Sequence, residues 1–243
     1  MIGIVVVSHS PALADAAVAL ALQMVGENRP AIAIAAGAGD GVIGTDAVRV
    51  AEAIDEVASP DGVLVFMDLG SAVLSTTMAL EFRASTTEVR LSSAPFVEGI
   101  VAGIVLAAAG ASLDEADREA SGAMTAKNAQ LGAGAPQEPP APAADARTAA
   151  AVADAAAEAT IVNEVGLHAR PASVIVAKMA EFDAKVTIAD ADDPKRSASA
   201  SSLLALMGLG LGKGTRLRIS GTGADAAAAV EWLRAITADG FGE

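Results

Sequence analysis

Short, uninterrupted apolar runs alternate with stretches of helical spacing along the first half of this chain. The runs at 2–7, 31–35, 62–67 and 88–91 predict strands, and the spacing at 11–25, 45–58, 71–82, 95–109 and 113–127 predicts helices. Continuous Val, Ile and Leu suit strands buried on both faces, and alternation with helices implies a mainly parallel, doubly wound sheet. In such sheets ligands bind beyond the carboxyl ends of the strands. His9 follows the first strand, Gly37-Ala38-Gly39-Asp40 the second and Asp68-Leu69-Gly70-Ser71 the third, so three strand ends converge on one rim.

The pattern fails at Gly132. From there to Ala157 the chain is Ala, Pro and Gly with a few charges, including Pro136, Pro139, Pro140 and Pro142. So few large apolar residues cannot offset the entropy of ordering, which predicts a linker over 132–157. About 25 residues of flexible chain reach roughly 25–30 Å. Beyond it the order changes to a strand at 158–162, a helix at 168–182, strands at 185–189 and 195–200, a short helix at 202–209, a strand at 216–220 and a last helix at 224–238. This is an α+β pattern, a small antiparallel sheet with helices on one face. The expected division is therefore an α/β domain at 1–131, the linker at 132–157 and an α+β domain at 158–243.

Composition narrows the chemistry. Of 243 residues 53% are hydrophobic but only 2% aromatic, so both cores must be built from Ala, Val, Leu and Ile. There is no cysteine, which excludes disulfides and thiolate nucleophiles and fits a reducing cytoplasm. The net charge of −14 argues against a nucleic-acid footprint. The amino-terminal run lacks a basic flank and is broken by Ser8, His9 and Ser10, unlike an export signal. The apolar stretch 99–111 is shorter than the ~20 residues needed to span a bilayer. A cytoplasmic protein without membrane segments is expected.

Only two histidines are present, His9 and His168, each where a strand or loop feeds a helix. A free imidazole titrates near pH 6.5, so a nucleophilic neutral ring is available at physiological pH. Around His9, Ser10 is a candidate N-cap and Pro11 suits a first helical turn. The unpaired amides and dipole of a helix start stabilise a phosphate. Asp68 is placed to bond one imidazole nitrogen and leave the other to attack phosphorus, and Gly70-Ser71 to offer backbone donors to phosphate oxygens. A polar histidine simply satisfied at a strand end fits the same residues. Gly39-Asp40-Gly41-Val42-Ile43-Gly44 matches the dinucleotide pattern G-x-G-x-x-G, but it follows the second strand and lacks the acidic ribose partner.

In Gly166-Leu167-His168-Ala169-Arg170-Pro171-Ala172, a histidine at a helix start has two amides to point at a phosphate on its ring, with Arg170 as a charge-assisted donor. Gly208-Leu209-Gly210-Leu211-Gly212-Lys213-Gly214 fails the Walker pattern at both ends and reads as a turn. Neither histidine has a second histidine or a cysteine with which to hold a metal, and no cofactor is expected.

Two families are resembled. Val7-Ser8-His9-Ser10, Gly41-Val42-Ile43-Gly44-Thr45, Phe66-Met67-Asp68-Leu69-Gly70-Ser71-Ala72 and Pro95-Phe96-Val97-Glu98-Gly99, in order over 1–130, resemble mannose-type EIIA domains. More closely they resemble the EIIA-like domain of the DhaM family, phosphoryl donors to bacterial dihydroxyacetone kinase. The Gly166–Ala172 string, with 158–238 around it, resembles HPr, the phosphocarrier of the phosphoenolpyruvate-dependent phosphotransferase system.

These resemblances imply phosphorylation at His9 with Asp68 beside it, and at His168 on Nδ1 assisted by Arg170. They place Ser202 on the serine that a kinase modifies in some HPr proteins. Ser199-Ala200-Ser201 departs from that site's usual context, and an ordinary helix N-cap is the preferred reading. Val165 stands where HPr often has a small polar residue. The implied function is a phosphohistidine relay from enzyme I to His168, to His9, to ADP in the nucleotide-binding subunit of dihydroxyacetone kinase. The implied fold is an EIIA-like doubly wound domain plus an HPr-like open-faced sandwich, with a homodimer formed through the former. Because the chain ends after the HPr-like domain, enzyme I is expected to act in trans. The alternatives are a component feeding a sugar-transporting permease, or a phosphorylation-state sensor that binds a regulator.

Overall fold

The structure is a computed structural model that describes residues 1–39, 41–131 and 153–242; Asp40 and most of the expected linker lie outside the described residues. Contacts divide the chain into two units, Met1–Met124 and Thr125–Glu243.

The first unit carries a four-stranded, all-parallel sheet in the order β2-β1-β3-β4, with β1 at Gly3–Ser8, β2 at Ile32–Ala36, β3 at Val63–Met67 and β4 at Val89–Leu91. Every residue of β1 is buried, as its unbroken apolar run requires. Helices α1 (Pro11–Leu22) and α4 (Phe96–Ala108) pack together on one side. Val5 and Val7 point to the other side, into a core with α2 (Ala47–Glu56) and α3 (Gly70–Phe82). The sheet is therefore doubly wound, as expected.

Small residues set the close approaches. A Cβ on Gly103 of α4 would fall 2.4 Å from the ring of Phe66, so the two glycines Gly99 and Gly103 make the trough in which that ring lies. Two helix ends differ from expectation. α1 closes at Leu22 because the amides of Gln23 and Met24 bond back three residues, to Leu20 and Ala21. The expected helix 113–127 is two, α5 (Leu113–Ser121) and α6 (Ala123–Gln130), parted at Gly122, a poor helix former.

The second unit carries an antiparallel sheet in the order β5-β8-β6-β7, with β5 at Ala155–Thr160, β6 at Lys185–Asp190, β7 at Ser197–Ser199 and β8 at Arg216–Thr222. Val186, Ile188, Leu217 and Ile219 are buried, while Lys185, Thr187, Arg216 and Arg218 between them are exposed. One face is thus apolar and one wet. The buried stripes of α7 (Ala169–Met179), α8 (Leu203–Gly208) and α9 (Ala226–Ala238) complete the core.

Strand β5 begins three residues before the expected boundary at Glu158, inside the stretch assigned to the linker, and ends before Val162. Its alanines give no apolar signal. Backbone pairing from Ala155 to Gly221 through Thr160 to Arg216 defines the strand instead, and Val162 is half exposed in the loop that follows.

Candidate active site

The parallel sheet delivers His9 and Asp68 side by side, because β1 and β3 are neighbours and both end at the same rim. Nδ1 of His9 lies 2.8 Å from Asp68 Oδ1, and the His9 backbone amide donates to Oδ2 at 2.8 Å. Ser8 Oγ donates to Oδ2 at 2.9 Å, and the Leu69 amide to Oδ1 at 2.7 Å. Burial pushes the Asp68 carboxyl up. The hydrogen bonds from His9, Ser8 and Leu69 outweigh it and hold the group below the usual carboxylate range. A charged carboxylate accepts only, so Nδ1 carries the proton and Nε2 presents its lone pair.

That lone pair is engaged. Ser71 Oγ lies 2.7 Å from Nε2, the nitrogen expected to stand open. Ser71 belongs to the first turn of α3, which starts at Gly70 without a side-chain cap. The Ala72 amide donates to the Leu69 carbonyl at 2.9 Å, which leaves the Gly70 and Ser71 amides as the helix-start donors at the rim. Ser10 caps α1, accepting from the Leu13 amide at 3.3 Å, and its own amide donates to Ser8 Oγ. The glycine loop after β2 closes over the same end: the Gly37 amide bonds the Ser8 carbonyl, and the Gly44 amide bonds the His9 carbonyl at 3.1 Å. Arg49 of α2 holds the carbonyls of Ala36 and Gly37 beneath it. The Met1–Met124 unit has no lysine, and the guanidinium at this end, that of Arg49, donates to those two carbonyls.

In the second unit His168 is the N-cap residue of α7, with Arg170 exposed in the first turn. The preceding loop is fixed by Gly166, which has φ of +78°. Its carbonyl accepts from Asn163 Nδ2 at 2.9 Å and from the His168 amide at 3.1 Å. The Leu167 amide reaches Leu211 in the glycine-rich turn, which leads into β8. Val165 is 70% exposed and brings no donor. Ser202 caps α8, accepting from the Ala205 amide at 3.2 Å.

The structure thus brings His9, Asp68, Gly70 and Ser71 to one rim, and places His168 with Arg170 at the start of α7. Two polar residues that sequence reasoning did not assign join them, Ser8 and Asn163. The signal for Ser8 was a hydroxyl at the end of a strand buried on both faces. Asn163 gave none beyond its nearness to the motif.

Two family models match: the PTS system fructose IIA component (EIIA-man) over residues 3–117, and the PTS HPr component phosphorylation site over 155–239. The chain is 44% identical, over 77% of its length, to the phosphoryl donor subunit DhaM of PEP-dependent dihydroxyacetone kinase from Klebsiella michiganensis, and spans 40% of that protein. It is 36% identical to the phosphoryl donor subunit DhaM of PEP-dependent dihydroxyacetone kinase 2 from Listeria innocua, over 41% of this chain and 80% of that one. The crystal structure of HPr-C-His from Thermoanaerobacter tengcongensis, 28% identical, is covered over 97% of its chain and 37% of this one with a TM-score of 0.34. No helix among the described residues is long and apolar enough to cross a membrane.

Proposed function

The chain belongs to the DhaM family of phosphoryl donor subunits, and on that premise we propose that it is a two-domain phosphohistidine relay working in the cytoplasm. Enzyme I, charged by phosphoenolpyruvate, phosphorylates His168 on Nδ1. The group passes to His9, then to ADP in the nucleotide-binding subunit of dihydroxyacetone kinase, and so to dihydroxyacetone. The observation that carries this reading is the fixed orientation of His9, with Nδ1 held by Asp68 and Nε2 turned to the start of α3.

The Nε2 lone pair of His9 attacks phosphorus as the bond to His168 breaks, and the proton on Nδ1 stays where it is. The ring gains positive charge, which the Asp68 carboxylate offsets. Ser71 turns its hydroxyl from Nε2 to a phosphoryl oxygen, and the first amides of α3 stabilise the others. When ADP attacks, the ring leaves neutral, still protonated on Nδ1. Each transfer joins donors of similar potential, so the protein's part is position and electrostatics. Arg170 and the first amides of α7 play the corresponding part at His168.

The first domain pairs with a second copy in this reading. Leu74, Met78 and Phe82 lie four residues apart along α3, each more than half exposed, and supply an apolar face for that contact.

The test is incubation with enzyme I and labelled phosphoenolpyruvate, comparing wild type, His9→Ala and His168→Ala. Acid-labile label is expected at both sites in wild type and only at His168 in His9→Ala. In His168→Ala none is expected until separate HPr is added. ADP-loaded kinase subunit with dihydroxyacetone should then discharge His9. Labelling without discharge would point instead to a permease or a regulator as acceptor. Absence of label on His9 would remove the relay.

A further inference from the structure

Ser8 contributes more to the rim than the end of a strand. We infer that Ser8 is a positioning residue for phosphoryl transfer, its buried hydroxyl locking the Asp68 carboxylate and thereby the proton on Nδ1 of His9. The inference rests on the relay reading for its consequence in catalysis, and on geometry alone for the lock itself.

The carboxylate of Asp68 is fully subscribed. Oδ2 takes the His9 amide and the Ser8 hydroxyl, and Oδ1 takes the Leu69 amide and the His9 ring. Four donors at 2.7–2.9 Å fill the acceptor sites of a carboxylate and leave it neither room to rotate nor a place for a proton. Two of these donors are backbone amides, and a third is the nucleophile itself. Ser8 is therefore the one side-chain donor of the four that is not the reacting group.

Its proton has a second possible acceptor, the Ser10 carbonyl at 3.1 Å. The carboxylate is nearer and charged, and a charge-assisted bond is the stronger. The Ser8 oxygen in turn accepts from the Ser10 amide. A continuous chain then runs from the cap of α1 through Ser8, Asp68 and His9 to Ser71 on α3. Ser8 is 0% exposed, so water cannot replace its hydroxyl. Without it Oδ2 keeps one donor in a dry place, the carboxylate is free to tilt, and the two ring tautomers of His9 draw closer in energy.

A merely structural serine would lower stability and nothing else. The distinguishing measurement is made on the unphosphorylated full chain by 13C and 15N NMR, following the Asp68 carboxyl carbon and the His9 ring nitrogens. Ser8→Ala should raise the Asp68 titration midpoint by about one pH unit and lower the Nδ1–H fraction of the ring. Ser8→Thr should restore both. Phosphoryl transfer from His9 should fall roughly tenfold in Ser8→Ala and recover in Ser8→Thr.

If Ser8→Ala does not fold, Ser8→Cys decides, because a thiol fills the space but donates weakly: an intermediate shift supports the lock. A folded Ser8→Ala or Ser8→Cys with the wild-type Asp68 midpoint and tautomer overturns it. Failure of wild-type His9 to accept label would remove the relay and leave the NMR result to decide the lock separately.

Discussion

Ser71 Oγ and His9 Nε2 are 2.7 Å apart, so the nitrogen proposed to take phosphorus is covered by a hydroxyl from the first turn of α3. The cover is light, since Ser71 is exposed and a serine rotor turns freely. In the proposed relay its value lies in what it does after turning, when it donates to a phosphoryl oxygen. Ser71→Ala is expected to leave stability within about 0.5 kcal/mol, as for other exposed positions. Labelled phosphohistidine at position 9 should form and discharge more slowly, by roughly tenfold for one lost charge-assisted bond. Rapid-quench labelling against the melting curve separates the two, and Ser71→Thr should keep most of the rate.

Asp68 gives the first domain a defined acid limb. Its carboxyl sits below the usual range despite burial, because the native state offers donors the unfolded chain lacks. The stabilisation is thus complete above the unfolded value of about 3.9 and is lost as pH falls through the lower native value. Asp68→Asn should flatten this limb. At pH 7 it should cost about 1–3 kcal/mol, since an amide nitrogen facing the Ser8, His9 or Leu69 donors leaves them unpaired. Transfer through His9 should fall by at least about 100-fold as the ring loses its fixed tautomer. The only tryptophan, Trp232, lies in α9 of the other unit, so circular dichroism rather than fluorescence must follow the unfolding.

Much of this was legible in the chain. The unbroken run before His9 specified a strand buried on both faces, and parallel order then placed Asp68 beside it from 59 residues away. The string around His168 specified its own helix start. What the sequence withheld was side-chain direction. Gly70-Ser71 were expected to offer backbone donors, whereas the Ser71 hydroxyl itself reaches the ring, a matter of how α3 leaves β3. Ser8 was hidden because period and polarity say where a hydroxyl lies and not which of several acceptors it chooses. Strand β5 was misplaced for a different reason: alanine carries too little apolar signal to mark a strand whose support is backbone pairing.

The trough beneath Phe66 is a packing test of the first domain. At Gly103 an added methyl would sit 2.4 Å from the ring of Phe66, itself fully buried. Because the ring is buried and the contact falls on it rather than on a flexible chain end, the ring or α4 would have to shift. Gly103→Ala is expected to cost about 1–3 kcal/mol by urea denaturation, net of the helix propensity it gains. Adding Phe66→Leu should recover part of that loss, since the smaller side chain vacates the collision. A simple sum of the two single losses would show that the trough is not the cause.

Gly166 provides the matching test beside His168. Its φ of +78° is costly for any residue with a Cβ, and the added carbon would fall 2.3 Å from the Leu211 carbonyl oxygen and 2.7 Å from Gly212 Cα. Both obstacles are backbone, so no side chain can swing aside. The His loop and the glycine-rich turn would separate, breaking the Leu167 amide bond to Leu211 and the two bonds on the Gly166 carbonyl that set the His168 amide. Gly166→Ala should destabilise the second unit by about 3 kcal/mol or more, read from Trp232 fluorescence in urea. Under native conditions label from enzyme I at His168 should fall severely, while His9 in the same chain still accepts label from added HPr. Equal loss at both histidines would mean that the change acts on the whole chain rather than on the loop that presents His168.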